Sequence, residues 1–158
     1  MRSAWACLLA GAVGVIGCSS APDDSEPGGS AEAEVRKCKV TSAFNGDELT
    51  PATVADLLRE AGVPEAEVPK MVCIAKYESR FFAEAHRKNA NCTTDNGLFQ
   101  VNDHWWSKRC GATAAELLDP ATNARCAKIV RDEDPNHFDA WYAYRSHKAE
   151  CDRYKVSK

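Results

Sequence analysis

Apolar residues recur every three or four positions through most of this chain, and they predict helices on either side of one short stretch of different character. Thr50 and Pro51 make a cap with proline in the first turn, Val54, Leu57, Leu58 and Ala61 follow at helical spacing, and Gly62 closes the segment. A second helix begins near Pro69. There Met71, Ile74, Ala75 and Glu78 fall at i, i+3, i+4 and i+7, so a glutamate shares a face with three apolar side chains. Asp119 and Pro120 open a third helix through Ala121, Ala124, Cys126, Ile129 and Val130, and a fourth is read after Pro135 with Phe138, Trp141, Tyr142 and Arg145. Between the second and the third, residues 89–102 carry the turn-prone NAN and DNG and the short alternation LFQV, which predicts a small antiparallel hairpin. Trp105 and Trp106 follow on a segment read as extended, which sends adjacent indoles to opposite sides.

The first part of the chain has no such periodicity. Residues 1–17 have a basic start at Arg2, an apolar run from Ala4 to Ile16 and a small residue before Cys18, which reads as a secretion signal. The apolar run is short for a membrane-spanning helix, the competing reading. Val15, Ile16, Gly17 and Cys18 resemble the lipobox of bacterial lipoproteins, in which the cysteine becomes the lipid-bearing first residue of the mature chain. Residues 19–34, SSAPDDSEPGGSAEAE, hold too little apolar surface for a core and read as a flexible tether. The expected organisation is a signal peptide over 1–17, a lipidated Cys18 and acidic linker over 18–35, and one domain over 36–158. The protein would then sit in a bacterial cell envelope, lipid-anchored to a membrane, on its periplasmic or cell-surface face.

Composition fits one domain: 158 residues, 44% hydrophobic and 27% charged. The net charge of −3 comes from the tether, whose Asp23, Asp24, Glu26, Glu32 and Glu34 leave the domain close to neutral. No basic stripe interleaved with aromatics is present, which argues against nucleic acid as a partner. Of eight cysteines, Cys7 and Cys18 belong to the signal and its junction; Cys38, Cys73, Cys92, Cys110, Cys126 and Cys151 remain. An even number in an exported domain reads as three disulfides, with the connectivity left open by spacing. Zinc is the rival. It is disfavoured because no two of these cysteines have knuckle spacing and His86, His104, His137 and His147 do not cluster with them.

Two carboxylates in unlike settings carry the candidate chemistry. Glu78, on an apolar helical face, is poorly solvated, which favours its protonated form and suits a general acid. The bland alternative is a helix-edge glutamate paired with Lys76 or Arg80. Asp95 stands in an Asp-Asn-Gly sequence that is common in ordinary turns. Hydrolysis of a glycosidic bond needs such a division, with one carboxyl holding a proton for the leaving oxygen and the other ionised opposite it. Trp105 and Trp106 are either core residues or platforms for sugar rings.

Several ordered motifs resemble the C-type lysozymes of glycoside hydrolase family 22, which also include the non-enzymatic α-lactalbumins: MVCIAKYESRF around Glu78, TTDNGLFQVND around Asp95, the pair Trp105 and Trp106, RCAKIV from Arg125, and DAWYAYR from Asp139. The resemblance is close from Met71 to Arg145 and weaker on either side. It implies a lysozyme-like α+β fold, a mainly helical lobe and a small antiparallel β-hairpin lobe flanking a cleft. It also implies an enzyme, a muramidase, that cuts the β-1,4 bond between N-acetylmuramic acid and N-acetylglucosamine in peptidoglycan glycan strands with retention. Glu78 corresponds to the proton donor and Asp95 to the nucleophile or electrostatic stabiliser. Asn89, Gln100 and Asn102 correspond to cleft-lining polar groups, Trp105 and Trp106 to the saccharide-stacking pair, and Trp141 to the indole beside the acid. The alternative is a lysozyme-like glycan-binding or regulatory protein that does not cut.

The resemblance also implies bridges between Cys73 and Cys151 and between Cys110 and Cys126, although Cys151 lies slightly beyond its family place and has Cys38 as an alternative partner. Cys38 with Cys92 is the remainder, and Cys92 stands where the family has no cysteine. Cys38 lies farther ahead of Cys73 than the family pattern allows, which requires an insertion. A lactalbumin-like calcium site would need several acids between Leu118 and Cys126, where only Asp119 is present, so no metal or cofactor is expected, and a monomer is.

Overall fold

The computed structural model describes residues 37–157, so the expectations for the signal, Cys18 and the linker lie outside the described residues. In chain order the elements are β1 (Thr41–Ala43), α1 (Pro51–Glu60), α2 (Val68–Ser79), β2 (His86–Lys88), β3 (Thr94–Asn96), β4 (Val101–Asn102), α3 (Asp103–Cys110), a 3-10 turn (Glu116–Leu118), α4 (Pro120–Glu133) and α5 (Tyr142–Cys151). The strands form one antiparallel sheet in the order β1-β2-β3-β4. This is the α+β, lysozyme-like architecture that the motifs imply.

Local chemistry sets the helix starts. The Thr50 hydroxyl accepts from the Thr53 amide at 3.1 Å and the Asp119 carboxylate from the Thr122 amide at 2.8 Å, each satisfying an orphan donor of the first turn, with proline next in sequence. α2 is the central helix. Met71 through Ala75 are all fully buried, so the apolar contacts surround it rather than forming one stripe. It ends at Arg80 and Phe81, both in the left-handed region at φ 54° and 66°, which turns the chain out of the core one residue after the buried Ser79.

Three disulfides tie these elements together: Cys73–Cys151 joins α2 to α5, Cys110–Cys126 joins α3 to α4, and Cys38–Cys92 joins the segment before β1 to the loop between β2 and β3. Such bridges belong to a protein exported to an oxidising compartment. Among the described residues no helix is long and apolar enough to cross a membrane.

Three local expectations are corrected. The segment carrying Trp105 and Trp106 is helix α3, not extended chain. The Asn102 side chain caps it by accepting from the Trp105 amide at 3.4 Å, Asp103 sits in its first turn and Lys108 and Arg109 in its last, and Gly111 at φ 63° ends it. The fourth helix begins at Tyr142 rather than after Pro135. Asp134 instead folds the preceding residues into a turn, accepting from the Asn136 amide at 3.0 Å and the Ala140 amide at 2.6 Å, and Phe138 and Trp141 enter the core from that turn.

The hairpin is also turned differently. Asp95 pairs with Asn102 and Asn96 with Val101, so the reversal runs through Gly97 to Gln100 rather than through Asp-Asn-Gly. Leu98 and Phe99 then pack into the core. Asn123 of α4 fixes this turn, donating to the carbonyls of Asn96 (2.8 Å) and Leu117 (2.7 Å) and accepting from the Phe99 amide (2.8 Å). A fully buried amide satisfied on three sides anchors the turn that carries Asp95. Gly97 has φ 72°, and a Cβ there would lie 2.3 Å from both the Asn123 amide nitrogen and the Leu117 carbonyl oxygen, so only glycine fits.

Candidate active site

Glu78 projects from the last turn of α2 into a cleft, half-buried, with the Ala143 amide donating to its Oε1 at 3.2 Å. The residues offered as ion-pair partners in the bland reading are engaged elsewhere. Lys76 Nζ meets Glu150 at 2.8 Å, and the Arg80 guanidinium lies 4.8 Å from the centre of the Phe44 ring. Burial holds the Glu78 carboxyl above its ordinary pKa and the charge of nearby Asp95 pushes the same way, while the Ala143 N–H, Arg87 and Arg145 oppose them. The net direction is upward. A carboxyl so placed can retain a proton at a pH where exposed carboxylates have lost theirs.

Asp95 is held in a different manner. From β3 it accepts the Asn89 side-chain amide on Oδ2 at 2.9 Å and the Asn102 amide on Oδ1 at 2.7 Å. Both amides also donate to the Thr93 hydroxyl, at 3.2 and 2.9 Å, and that hydroxyl donates to Asn91 Oδ1 at 2.9 Å. Each carboxylate oxygen therefore has a fixed neutral donor, an arrangement that accommodates the ionised form and limits its rotation.

The two carboxylates stand between two adjoining cavities of one cleft, of about 230 and 360 Å³. Glu78, Asp95, Arg87, Gln100 and Tyr142 line both. The smaller continues along Tyr77, Ala143, His86 and the β1 wall; the larger continues along Asn102, Trp105, Trp106 and Trp141. Trp105 is 62% exposed and Trp106 half-buried beneath Arg109, whereas Trp141 is buried and its Nε1 donates to the Phe99 carbonyl at 3.0 Å. The side-chain nitrogen of Gln100 donates to the carbonyls of Ala85 (3.0 Å) and Gly97 (2.9 Å), which leaves its carbonyl oxygen for the cleft. Asn89 does not line either cavity; it stands behind Asp95 and holds it.

Sequence reasoning missed two central residues. Arg87 stands directly opposite Asp95 in the β2–β3 register, a placement legible only once the strands are paired. Tyr142 reads as a core position at helical spacing, yet it is 74% exposed at the start of α5 with Arg145 5.7 Å from its ring. Among the described residues no cluster of histidine, cysteine and acid could hold a metal ion.

A helical lobe and a small sheet that meet across a cleft bearing two differently held carboxylates define a lysozyme-like glycoside hydrolase. Comparison with known proteins agrees. Residues 55–142 match the family model described as a lysozyme-like domain. Lysozyme c-1 of Anopheles gambiae is 34% identical over 125 residues, covering 73% of this chain and 84% of that protein. A lysozyme of Galleria mellonella is 35% identical over 109 residues, covering 63% of this chain and 88% of that protein. The crystal structure of a lysozyme from Litopenaeus vannamei superposes with a TM-score of 0.56 at 28% identity, covering 67% of this chain and 98% of that one. The chain belongs to the lysozyme-like domain family.

Proposed function

We propose that the protein hydrolyses the β-1,4 bond between N-acetylmuramic acid and N-acetylglucosamine in peptidoglycan, with retention at the anomeric carbon. The observation that carries this reading is the unequal treatment of two carboxylates facing one cleft: Glu78 is desolvated, which raises its pKa, while each oxygen of Asp95 accepts a hydrogen bond from a side-chain amide. Glu78 gives its proton to the glycosidic oxygen as the bond to the leaving sugar breaks. Asp95 bonds to the anomeric carbon, forming a glycosyl-enzyme ester. The Glu78 carboxylate then takes a proton from water, whose oxygen displaces Asp95 from the opposite face and restores both groups.

The surroundings give the cleft a direction. Tyr77 and Ala143, which flank Glu78, line the smaller cavity, and Asn102, which holds Asp95, lines the larger. The leaving sugar therefore belongs in the smaller cavity and the retained sugars in the larger, where Trp105 and Trp106 offer faces for stacking and the Gln100 oxygen a hydrogen-bond acceptor. Arg87 at the junction favours a glycan with carboxylate-bearing substituents, which makes neutral chitin-like oligomers secondary substrates. Clearing of a suspension of purified wall, run beside a wall-binding assay, tests the reading: lysis supports it, and binding without lysis would leave a non-catalytic glycan-binding protein.

Arg87 also sets a pH test. Its positive charge favours the ionised form of Glu78, so removing it raises the pKa of the acid further. Because the reaction needs Glu78 protonated, the alkaline limb of kcat/KM in Arg87→Gln is expected to move to higher pH, read from profiles on a soluble oligosaccharide. An unmoved limb would mean that Glu78 is not the acid.

We propose further that residues 1–17 are a signal peptide, that Cys18 carries lipid and residues up to 35 tether the domain, and that the protein works as a monomer on the envelope to which it is anchored. Cys18→Ser is expected to move the protein from the detergent-extracted membrane fraction to the soluble fraction; continued membrane partitioning would exclude anchoring at this residue.

A further inference from the structure

The two side chains that hold Asp95 are unequally secured. Asn102 is fixed twice: its side-chain oxygen caps α3 at the Trp105 amide, and its backbone pairs with Asp95 in the β3–β4 register. Asn89 depends on a loop. It lies one residue beyond β2, where its amide donates to the Thr93 carbonyl at 2.8 Å and its carbonyl accepts from the Cys92 amide at 2.9 Å, both within the short connection to β3.

That connection is not held by apolar burial, since Ala90, Asn91 and Cys92 are all exposed. Cys92 stands at φ 69°, a left-handed conformation that a residue with a side chain keeps where its surroundings impose it. Cys38 supplies the constraint. It meets the loop twice, through the disulfide to Cys92 and through its amide, which donates to the Ala90 carbonyl at 2.8 Å. Thr41, a little further on, pairs with Lys88, so the bridge closes a ring of 38–41 against 88–92 with Asn89 inside it.

From Asn89 the path to the cleft is short. Its side-chain amide donates to Asp95 Oδ2 at 2.9 Å and to the Thr93 hydroxyl at 3.2 Å, and that hydroxyl also accepts from Asn102, the donor to Asp95 Oδ1. A shift of the loop by a fraction of an ångström lengthens these bonds and frees the carboxylate to turn away from the anomeric carbon. The family motifs that imply the other two bridges do not imply this one, because Cys92 stands where they have no cysteine.

We propose that the Cys38–Cys92 bridge is a positioning device for Asp95, acting through Asn89 to set the orientation of the carboxylate, so that it raises turnover rather than substrate affinity. This rests on the reading of Asp95 as the nucleophile. The bridge is also within reach of solvent: Cys92 is exposed and lines an open depression with Asn91, Thr93, Asp103 and His104, whereas Cys73, Cys126 and Cys151 are at most 1% exposed. A small dithiol therefore opens it ahead of the others.

The test is a mutant cycle on a soluble muramoyl oligosaccharide, comparing the full protein with Cys38→Ser/Cys92→Ser, Asn89→Ala and the combination of all three substitutions, each checked for folding by circular dichroism. Opening the bridge is expected to lower kcat about tenfold with KM within about twofold of wild type, Asn89→Ala to do the same, and the combined variant to be no slower than Asn89→Ala. A loss in KM alone, an unchanged kcat, or losses that multiply to about a hundredfold in the combined variant would overturn the proposal.

Should the serine variant not fold, the bridge is opened in the folded wild type with dithiothreitol, whose two thiols become a cyclic disulfide as the two bridge sulfurs become thiols. Alkylation and mass mapping are expected to find label on Cys38 and Cys92 before the other cysteines of the domain. The kcat should then fall by the same factor in wild type and stay unchanged in Asn89→Ala; a mapped opening that leaves wild-type kcat unaltered would overturn the proposal. A wild type that does not cut the oligosaccharide would instead remove the glycosidase reading, and the proposal with it.

Discussion

Glu78→Gln is expected to abolish wall lysis in a protein that is folded and at neutral pH no less stable than wild type. Glutamine matches glutamate in shape and its Oε1 can keep the Ala143 N–H at the observed position, but it has no proton to give. Loss of a positioned general acid costs roughly 10²–10⁴-fold in rate. The stability half follows from linkage. The folded pKa of Glu78 is raised above its unfolded value, so its favourable contribution is fully present below the ordinary carboxylate range and is lost as pH rises through the raised pKa. Above that point an ionised, desolvated carboxylate works against folding, and glutamine does not. Thermal unfolding followed from acid to neutral pH should therefore show wild type losing ground to the variant as pH rises. A variant with full lysis, or one whose stability tracks wild type at every pH, contradicts this role for Glu78.

Asp95→Asn is expected to lose at least about a hundredfold in kcat/KM, through two separate effects. The amide is a poor nucleophile and carries no charge to stabilise the developing cation at the anomeric carbon. It also disturbs the network around it, because both Asn89 and Asn102 present N–H groups to this side chain, and an NH₂ at one terminus faces a donor with a donor. The second effect predicts weaker protection of the β3–β4 amides in hydrogen exchange, a readout that separates it from the chemical loss. Wild-type turnover in this variant would remove Asp95 from the mechanism.

The parts of the fold that were legible are those where one local device dominates. Thr50 with Pro51 and Asp119 with Pro120 announce their helices because a cap and a fixed φ act within four residues. The illegible parts depend on distant contacts. α3 has no buried residue, so it leaves no apolar stripe for periodicity to find, and only the caps at Asn102 and Gly111 mark it. Phe138 and Trp141 have helical spacing but are delivered to the core by a turn that Asp134 organises, which no spacing rule detects. β1 is three small polar or weakly apolar residues, and the chain just ahead of it is tied down by the bridge from Cys38 to Cys92, fifty-four positions on in sequence.

The candidate site divides in the same way. Helical spacing places Glu78 on an apolar face but equally allows an ordinary helix-edge glutamate, and it is the ordered family motifs that single it out; burial is the main cause of its raised pKa. Asp95 was ambiguous in sequence, since its distinguishing feature is a pair of amides from β4 and from the residue following β2. Arg87 and Tyr142 could not be seen at all, because one is defined by strand register and the other by the position at which α5 starts.

The most direct test is to digest purified peptidoglycan with the protein and identify the new reducing ends and their anomeric configuration at early times. New N-acetylmuramic acid ends, formed first as the β-anomer, are the expected result. New N-acetylglucosamine ends, first products of inverted configuration, or wall that is bound and left uncut would contradict the reading of Glu78 and Asp95 as acid and nucleophile of a retaining muramidase.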